Sequence, residues 1–131
     1  MSAQAIARGV NMSPRKVGVV AGLVRGRTVA EALTILDHTP RASSEPVRKV
    51  IESAKANATY NHSYKEDSLR ISEIYVTPGT SLKRYRSIAR GSFHQILKRT
   101  SHIKVVLDGE KRQPKKTEPT AKEETTSKET K

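Results

Sequence analysis

The sequence predicts a mixed α and β domain (α+β) that carries a long basic β-ribbon. Three segments between residues 13 and 58 repeat their apolar side chains at helical spacing. Two later segments, ending near Thr77 and Asp108, are rich in Ile and Val and read as strands. Between them, Ser81 to Ile103 holds six Lys/Arg and no Asp or Glu, and the acid-free run extends from Ile74 to Leu107.

Taken in order, AQAIARGV near the N-terminus reads as a short strand, with Ile6 and Val10 on one face and Arg8 between them. The first helix follows. Ser13 is a suitable N-cap, and Pro14 fits the first helical position, where no amide hydrogen is needed. Val17, Val20, Ala21 and Val24 form one apolar face, and Gly26 supplies the stop. Gly18 and Gly22 lie four residues apart and leave a smooth groove suited to a closely approaching backbone. Thr28 and Glu31 form a capping box for a short second helix with Val29, Ala32, Leu33 and Leu36 inward, ended by His38-Thr39-Pro40. A third helix buries Val47, Val50, Ile51, Ala54 and Ala58. Pro46 is tolerated if this helix starts near Ser44 and kinks it if it starts near Arg41. The polar run Thr59 to Asp67 ends it.

Leu69 to Thr77 is a strand whose apolar phase shifts from Leu69 and Ile71 to Ile74 and Val76. That shift means either a bulge or cover on both faces. Pro78-Gly79 breaks this strand, and Ile103, Val105 and Leu107 mark the last one. Two arms of some ten residues between them would make a ribbon reaching on the order of 30 Å. Residues 1–109 are expected to form one domain, with the ribbon at about 78–102. Residues 110–131 have no aliphatic side chain larger than Ala121 and no aromatic, so they are expected to be a disordered charged tail.

The formal net charge is +12, and the tail, with seven basic and five acidic residues, contributes little of it. A body this basic attracts polyanions. Nucleic acid is the first expectation, and an acidic membrane surface or acidic protein the second. No basic amphipathic helix with large apolar residues supports the membrane reading, and no readable spacing supports sequence-specific DNA recognition. The chain has no cysteine, which excludes disulfides, thiolate metal sites and a cysteine nucleophile and fits a reducing compartment. The longest apolar run near the N-terminus, Val19 to Val24, is too short for a membrane span, so a cytoplasmic protein without membrane insertion is expected. At 34% hydrophobic residues, with one Phe and no Trp, the core should be thin and aliphatic.

Catalysis has no positive support. Ser101 and His102 are neighbours on a strand and point to opposite faces. His38, His62, His94 and His102 lack ligand spacing, so neither metal nor cofactor is expected. Basic residues carry the functional signal instead. Arg48, Lys49 and Lys55 read as a solvated helix face. Arg15-Lys16 and Arg25/Arg27 bracket the first helix, at positions open to phosphate contact. Lys83, Arg84, Arg86, Arg90, Lys98 and Arg99 form the acid-free ribbon, whose missing counter-charge RNA phosphates would supply. Tyr85 is open to base stacking or to packing across the ribbon, whereas Phe93 is expected to pack across it.

The chain resembles the bacterial form of the large-subunit ribosomal protein family numbered twenty-two. The resemblance rests on SPRKV at 13, LVRGRTVAEALTIL at 23, VRKVIESAKANA at 47, LRISEIYVTPG at 69 and ILKRTSHIKVVL at 96, and covers about residues 5–108. It implies three helices packed on a small three-stranded antiparallel sheet with a long protruding β-hairpin, and no enzymatic activity. It further implies a structural constituent of the large ribosomal subunit that binds ribosomal RNA, supports assembly and touches neighbouring ribosomal proteins. The hairpin tip of the family lines the nascent-peptide exit tunnel, near where macrolides bind. Carried over by position, the rRNA contacts are Arg15, Lys16, Arg25, Lys98, Arg99, Ser101 and His102, with Lys83, Arg84 and Arg90 at the tip. Tyr85, Arg86 and Ile88 fall within that tip. The family commonly has Pro-Arg where this chain has Ser87-Ile88, and a basic residue at Ser92, so this tip is less basic.

Overall fold

The computed structural model describes residues 2–110 of the 131. The expected tail lies outside them, apart from Glu110. The elements run β1 (Ala3–Val10), α1 (Pro14–Val24), α2 (Val29–Asp37), α3 (Ser44–His62), β2 (Arg70–Pro78), β3 (Leu82–Ser87), β4 (Phe93–Lys98) and β5 (Ser101–Asp108). β5 is the centre of a three-stranded antiparallel sheet in the order β1-β5-β2, and β3 and β4 pair separately as the ribbon.

All three helices bury the faces that their spacing predicts. Val17, Val20, Ala21 and Val24 of α1, Val29, Ala32 and Leu36 of α2, and Val47, Val50, Ile51, Ala54 and Ala58 of α3 are buried in one cluster. The Thr28 hydroxyl accepts the Glu31 amide at 3.4 Å, closing the first turn of α2. Ser13 caps α1 by position without a side-chain hydrogen bond. α3 starts at Ser44, so Pro46 falls in its first turn, where it replaces no helical hydrogen bond. α3 also continues past the expected stop. Tyr60, Asn61 and His62 complete its last turn before Ser63 turns left-handed at φ 54°. The continuation seats Tyr64 in the core at 5% exposure, an aromatic contribution that the polar run conceals.

Two expectations about packing are corrected. On β1 the inward face is Ala3 and Ala5, and Ile6 points outward at 48% exposure. α3 lies against β1, and small side chains there let the helix approach the sheet. Val10 still packs against the core, because a bulge between Ala7 and Val10, with Gly9 at φ 71°, shifts the alternation. Among the described residues nothing fills the Gly18–Gly22 groove: beyond the helix's own neighbouring backbone, a Cβ at either position would meet no atom within 4 Å.

On β2 the phase shift is a bulge: pairing with β5 slips between Ile71 and Glu73, and Leu69, Ile71 and Ile74 all reach the core. The start of β2 is not left as a bare edge. The Ile71 amide donates to the Arg27 carbonyl (2.9 Å), and the Gly26 and Val29 amides donate to Ile71 and Leu69 (3.1 and 3.0 Å). Beyond Gly109, Glu110 is still engaged: the Lys65 amide donates to its carbonyl at 3.0 Å.

The ribbon is not a continuation of the sheet. Its strands are six residues each, about 20 Å long, shorter than the arms expected. A clamp joins them to the sheet: the Gly79 amide donates to the Thr100 carbonyl (2.9 Å), and the Thr100 hydroxyl donates to the Thr80 carbonyl (2.7 Å). A Cβ at Gly79 would come within 2.5 Å of the Thr100 hydroxyl oxygen. Gly79→Ala should therefore break the Thr100–Thr80 bond and loosen the ribbon at its root. The expected cost is about 0.5–2 kcal/mol, with the sheet itself retained. Hydrogen exchange checks this: the amides of β3 and β4 should exchange faster while those of β5 do not. Unchanged ribbon exchange would refute the clamp.

Candidate nucleic-acid interface

Where β3 and β4 leave the sheet, they rise beside the N-terminus of α1 and the loop before α3. The space between is an open cleft of about 970 Å³. Its lining includes five cations, Lys16, Arg41, Arg84, Lys98 and Arg99, and no acid. Met12, Leu82 and Leu97 supply apolar wall, and Asn11, Ser13 and Thr100 supply neutral polar groups. The five cations come from four separate places in the fold. Lys16 is in the first turn of α1, Arg41 precedes α3, Arg84 and Lys98 stand on the ribbon, and Arg99 sits at the break between β4 and β5. Sequence reasoning misses Arg41, because nothing local marks an isolated Arg in a loop; only the fold brings it to the others.

The acids lie elsewhere. Arg48 pairs with Asp37 (3.0 Å) and Glu52 (2.9 Å), Lys49 with Glu45 (2.7 Å) and Lys55 with Glu66 (2.9 Å). Glu45 is held below the usual carboxylate range by its hydrogen bond to Lys49 and by that charge, and Arg48 is held above its ordinary value chiefly by its hydrogen bond to Glu52 and by Asp37. These pairs fit the solvated reading of that helix face. Among the described residues, no ion pair includes a ribbon residue. A polyanion would therefore meet a neutralised α3 and an uncompensated ribbon.

The other predicted residues are dispersed around this cleft. Arg15 adjoins Lys16 on the exposed side of α1. Arg25 and Arg27 lie at the far end of that helix, about 16 Å along it, and bend back to the Ile74 and Leu23 carbonyls (3.3 and 3.1 Å). Lys83, Tyr85, Arg86, Ile88 and Arg90 are exposed along the ribbon and its turn. Phe93 does not pack across the ribbon as expected: it is 73% exposed, and Ser87 opposite is too small to cover its ring.

Ser101 does not share this surface. It is fully buried, and among the described residues its hydroxyl has no hydrogen-bond partner. Strand alternation sends His102 to the outer sheet face, where its Nδ1 accepts the Gly9 amide at 2.9 Å. That leaves the proton of the neutral ring on Nε2, as a donor. Arg8, Tyr75, Thr77 and Lys104 surround it in a shallow groove of about 490 Å³. Tyr75 is held above the ordinary phenol range by its hydrogen bond to Glu73 and the charge of that residue. Nothing here resembles a catalytic arrangement, and among the described residues no cluster of His, Asp or Glu could hold a metal.

The family model described as Ribosomal protein L22p/L17e matches residues 5–108. The chain is similar to proteins named Large ribosomal subunit protein uL22 from three bacteria. It is 50% identical to that of Oceanobacillus iheyensis over 111 residues, which span 85% of this chain and 98% of that protein. Identity is 52% over 105 residues with that of Desulfitobacterium hafniense (80% and 92% of the two chains). With that of Lactobacillus delbrueckii subsp. bulgaricus it is 51% over 106 residues (81% and 91%).

The burial of Ser101 gives a test that separates it from the cations. Removing a buried hydroxyl without a partner relieves a desolvation cost, so Ser101→Ala should leave stability unchanged or raise it by about 1 kcal/mol. Urea unfolding measures this directly. A loss of stability would show that the hydroxyl is bonded after all.

Proposed function

The chain belongs to the ribosomal protein L22p/L17e family, a structural component of the large ribosomal subunit and not an enzyme, and from that premise we propose that its acid-free ribbon and the cleft at the ribbon's root bind large-subunit ribosomal RNA. The observation that carries this reading is the separation of charge. Acids and cations are paired along α3, whereas five cations line the cleft without an acid among them. Cations left unpaired over this length repel one another, and RNA phosphates relieve the repulsion while releasing condensed counterions.

In this reading Lys16, Arg41, Arg84, Lys98 and Arg99 grip backbone phosphates where the ribbon meets the domain. Arg15, Arg25, Arg27 and His102 extend the footprint around α1 and the sheet. Arg86, Ile88 and Arg90 belong to the distal ribbon, with Lys83 and Tyr85 between them and the root, and this part enters the RNA and forms part of the nascent-peptide tunnel wall. The globular part stays outside, against RNA and neighbouring ribosomal proteins, and ordering the ribbon on RNA contributes to subunit assembly. The site of action is the cytoplasmic ribosome. Ser101 acts through packing, as the buried first residue of β5.

The test is equilibrium binding of the full chain to large-subunit rRNA fragments across a salt series. Affinity should fall steeply with salt, by a log–log slope of about 0.7–0.9 per phosphate contact. Neutralising Arg84, Lys98 and Arg99 together to Gln should flatten that slope by about 2–3 units, whereas neutralising Arg48 and Lys49 should barely change it. Equal effects from the two sets would defeat the reading.

A further inference from the structure

The ribbon has two chemically different faces, which the linear sequence hides. Residues directly opposite each other in an antiparallel pair share a face, and successive residues alternate. The register pairs Leu82 with Lys98, Arg84 with Ile96 and Arg86 with His94 on one face. It pairs Lys83 with Leu97, Tyr85 with Gln95 and Ser87 with Phe93 on the other. Three of the four Lys/Arg within the two strands therefore fall on the first face, and both aromatic rings fall on the second. The basic face contributes Leu82, Arg84 and Lys98 to the cleft, against Leu97 alone from the aromatic face.

Tyr85 and Phe93 occupy diagonal cross-strand positions, about 7–8 Å apart. They are 69% and 73% exposed, and among the described residues neither ring contacts another ring. Aromatic side chains left this open contribute little to the free chain, so their burial awaits a partner. The partner's chemistry follows from the surroundings. Every charged side chain within the ribbon is a cation, including Lys83 on the aromatic face itself. A protein surface covering these rings would have to desolvate those cations without an acid from this chain. A single-stranded RNA segment satisfies both sets at once, with bases against the rings and phosphates beside the cations.

We propose that the Tyr85–Phe93 face is a base-stacking surface for unpaired nucleobases, while the Arg84–Arg86–Lys98 face holds phosphates. The inference rests on the RNA reading above and adds to it a second kind of contact. Stacking is short-ranged and releases no counterions, so the two faces have separable signatures.

The experiment measures binding of the full chain to a large-subunit rRNA fragment that it protects. Tyr85→Leu and Phe93→Leu keep an apolar side chain on an exposed strand, so folding should be unaffected, which thermal unfolding checks. Each should weaken binding by about 5- to 100-fold while leaving the salt slope unchanged. Replacing by an abasic one the nucleotide that a photoreactive ring at 85 or 93 crosslinks should weaken the wild type and remove the difference between wild type and variant. As a second variant, Phe93→Trp should bind like the wild type, and its fluorescence, the only indole in the chain, should be quenched by the RNA. Retained affinity in both Leu variants, with salt-dependent binding intact, overturns the stacking surface alone. Absence of salt-dependent binding by the wild type overturns the RNA reading and this inference with it. Crosslinks from photoreactive rings at 85 and 93 to protein rather than RNA, in assembled subunits, would assign the face to a protein partner and overturn the proposal.

Discussion

Repulsion among the ribbon cations is the constraint on which the rest of the structure depends. A two-stranded ribbon is marginal in water even when its charges balance. Here its side chains are exposed along both strands, and its charged ones all have one sign. The fold meets this constraint at the root. β2 and β5 pair with each other through Pro78 and Ser101, and the Gly79–Thr100 clamp carries the pairing across a proline that cannot donate. The ribbon is thus built on the central strand of the sheet and the strand beside it, both anchored by fully buried side chains such as Ile71, Ile103 and Leu107.

The small core is adequate because its load is arranged so. α3 lies against β1 and β5, α1 lies against β2, and α2 packs on both helices. Alanines at 3, 5, 54 and 58 let the layers approach closely where the sequence has few large side chains. The acids of α3 matter in the same scheme. By pairing with Arg48 and Lys49, and with the help of Asp37 at the end of α2 and of Glu66, which holds Lys55, they hold positive charge off the helical side. Such exposed pairs contribute little to stability; their consequence is the contrast between a neutral back and a basic front.

How much of this is legible in the sequence follows the range of the interactions. Helix faces are local, so 3.6-residue spacing alone identifies every buried residue of α1 and α3. The β2 bulge is visible for the same reason, as a change of phase within nine residues. β1 reads in the wrong phase because hydrophobicity points to Ile6, whereas the approach of α3 selects Ala3 and Ala5. Tyr64 escapes sequence reasoning because its burial depends on a left-handed residue, Ser63, that turns the chain back onto the core. The site divides likewise. A basic run is legible, but the meeting of Lys16 and Arg41 with Arg84, Lys98 and Arg99 depends on tertiary contact. The burial of Ser101 depends on strand pairing.

The two-faced ribbon places a strict demand on its turn. With a side-chain period of two, a one-residue slip in one arm would move its entire set of residues to the opposite face. Phe93 would then join the cations, and Arg84 would face a different neighbour. The bend of Ile88 to Ser92 must therefore have one length and one shape. It is closed by the Ile88 amide donating to the Ser92 carbonyl at 2.8 Å. Within it, Arg90 and Gly91 are both left-handed, at φ 58° and 73°. Glycine adopts that conformation freely, but an arginine there costs about 1–2 kcal/mol, and an extended ribbon has few other interactions to offset it. The turn is therefore the least stable part of the register device, and Ser87-Ile88 lies at its entrance. Contacts that a partner made to Arg90 would also hold the turn shape, and through it the separation of cations on one face from rings on the other.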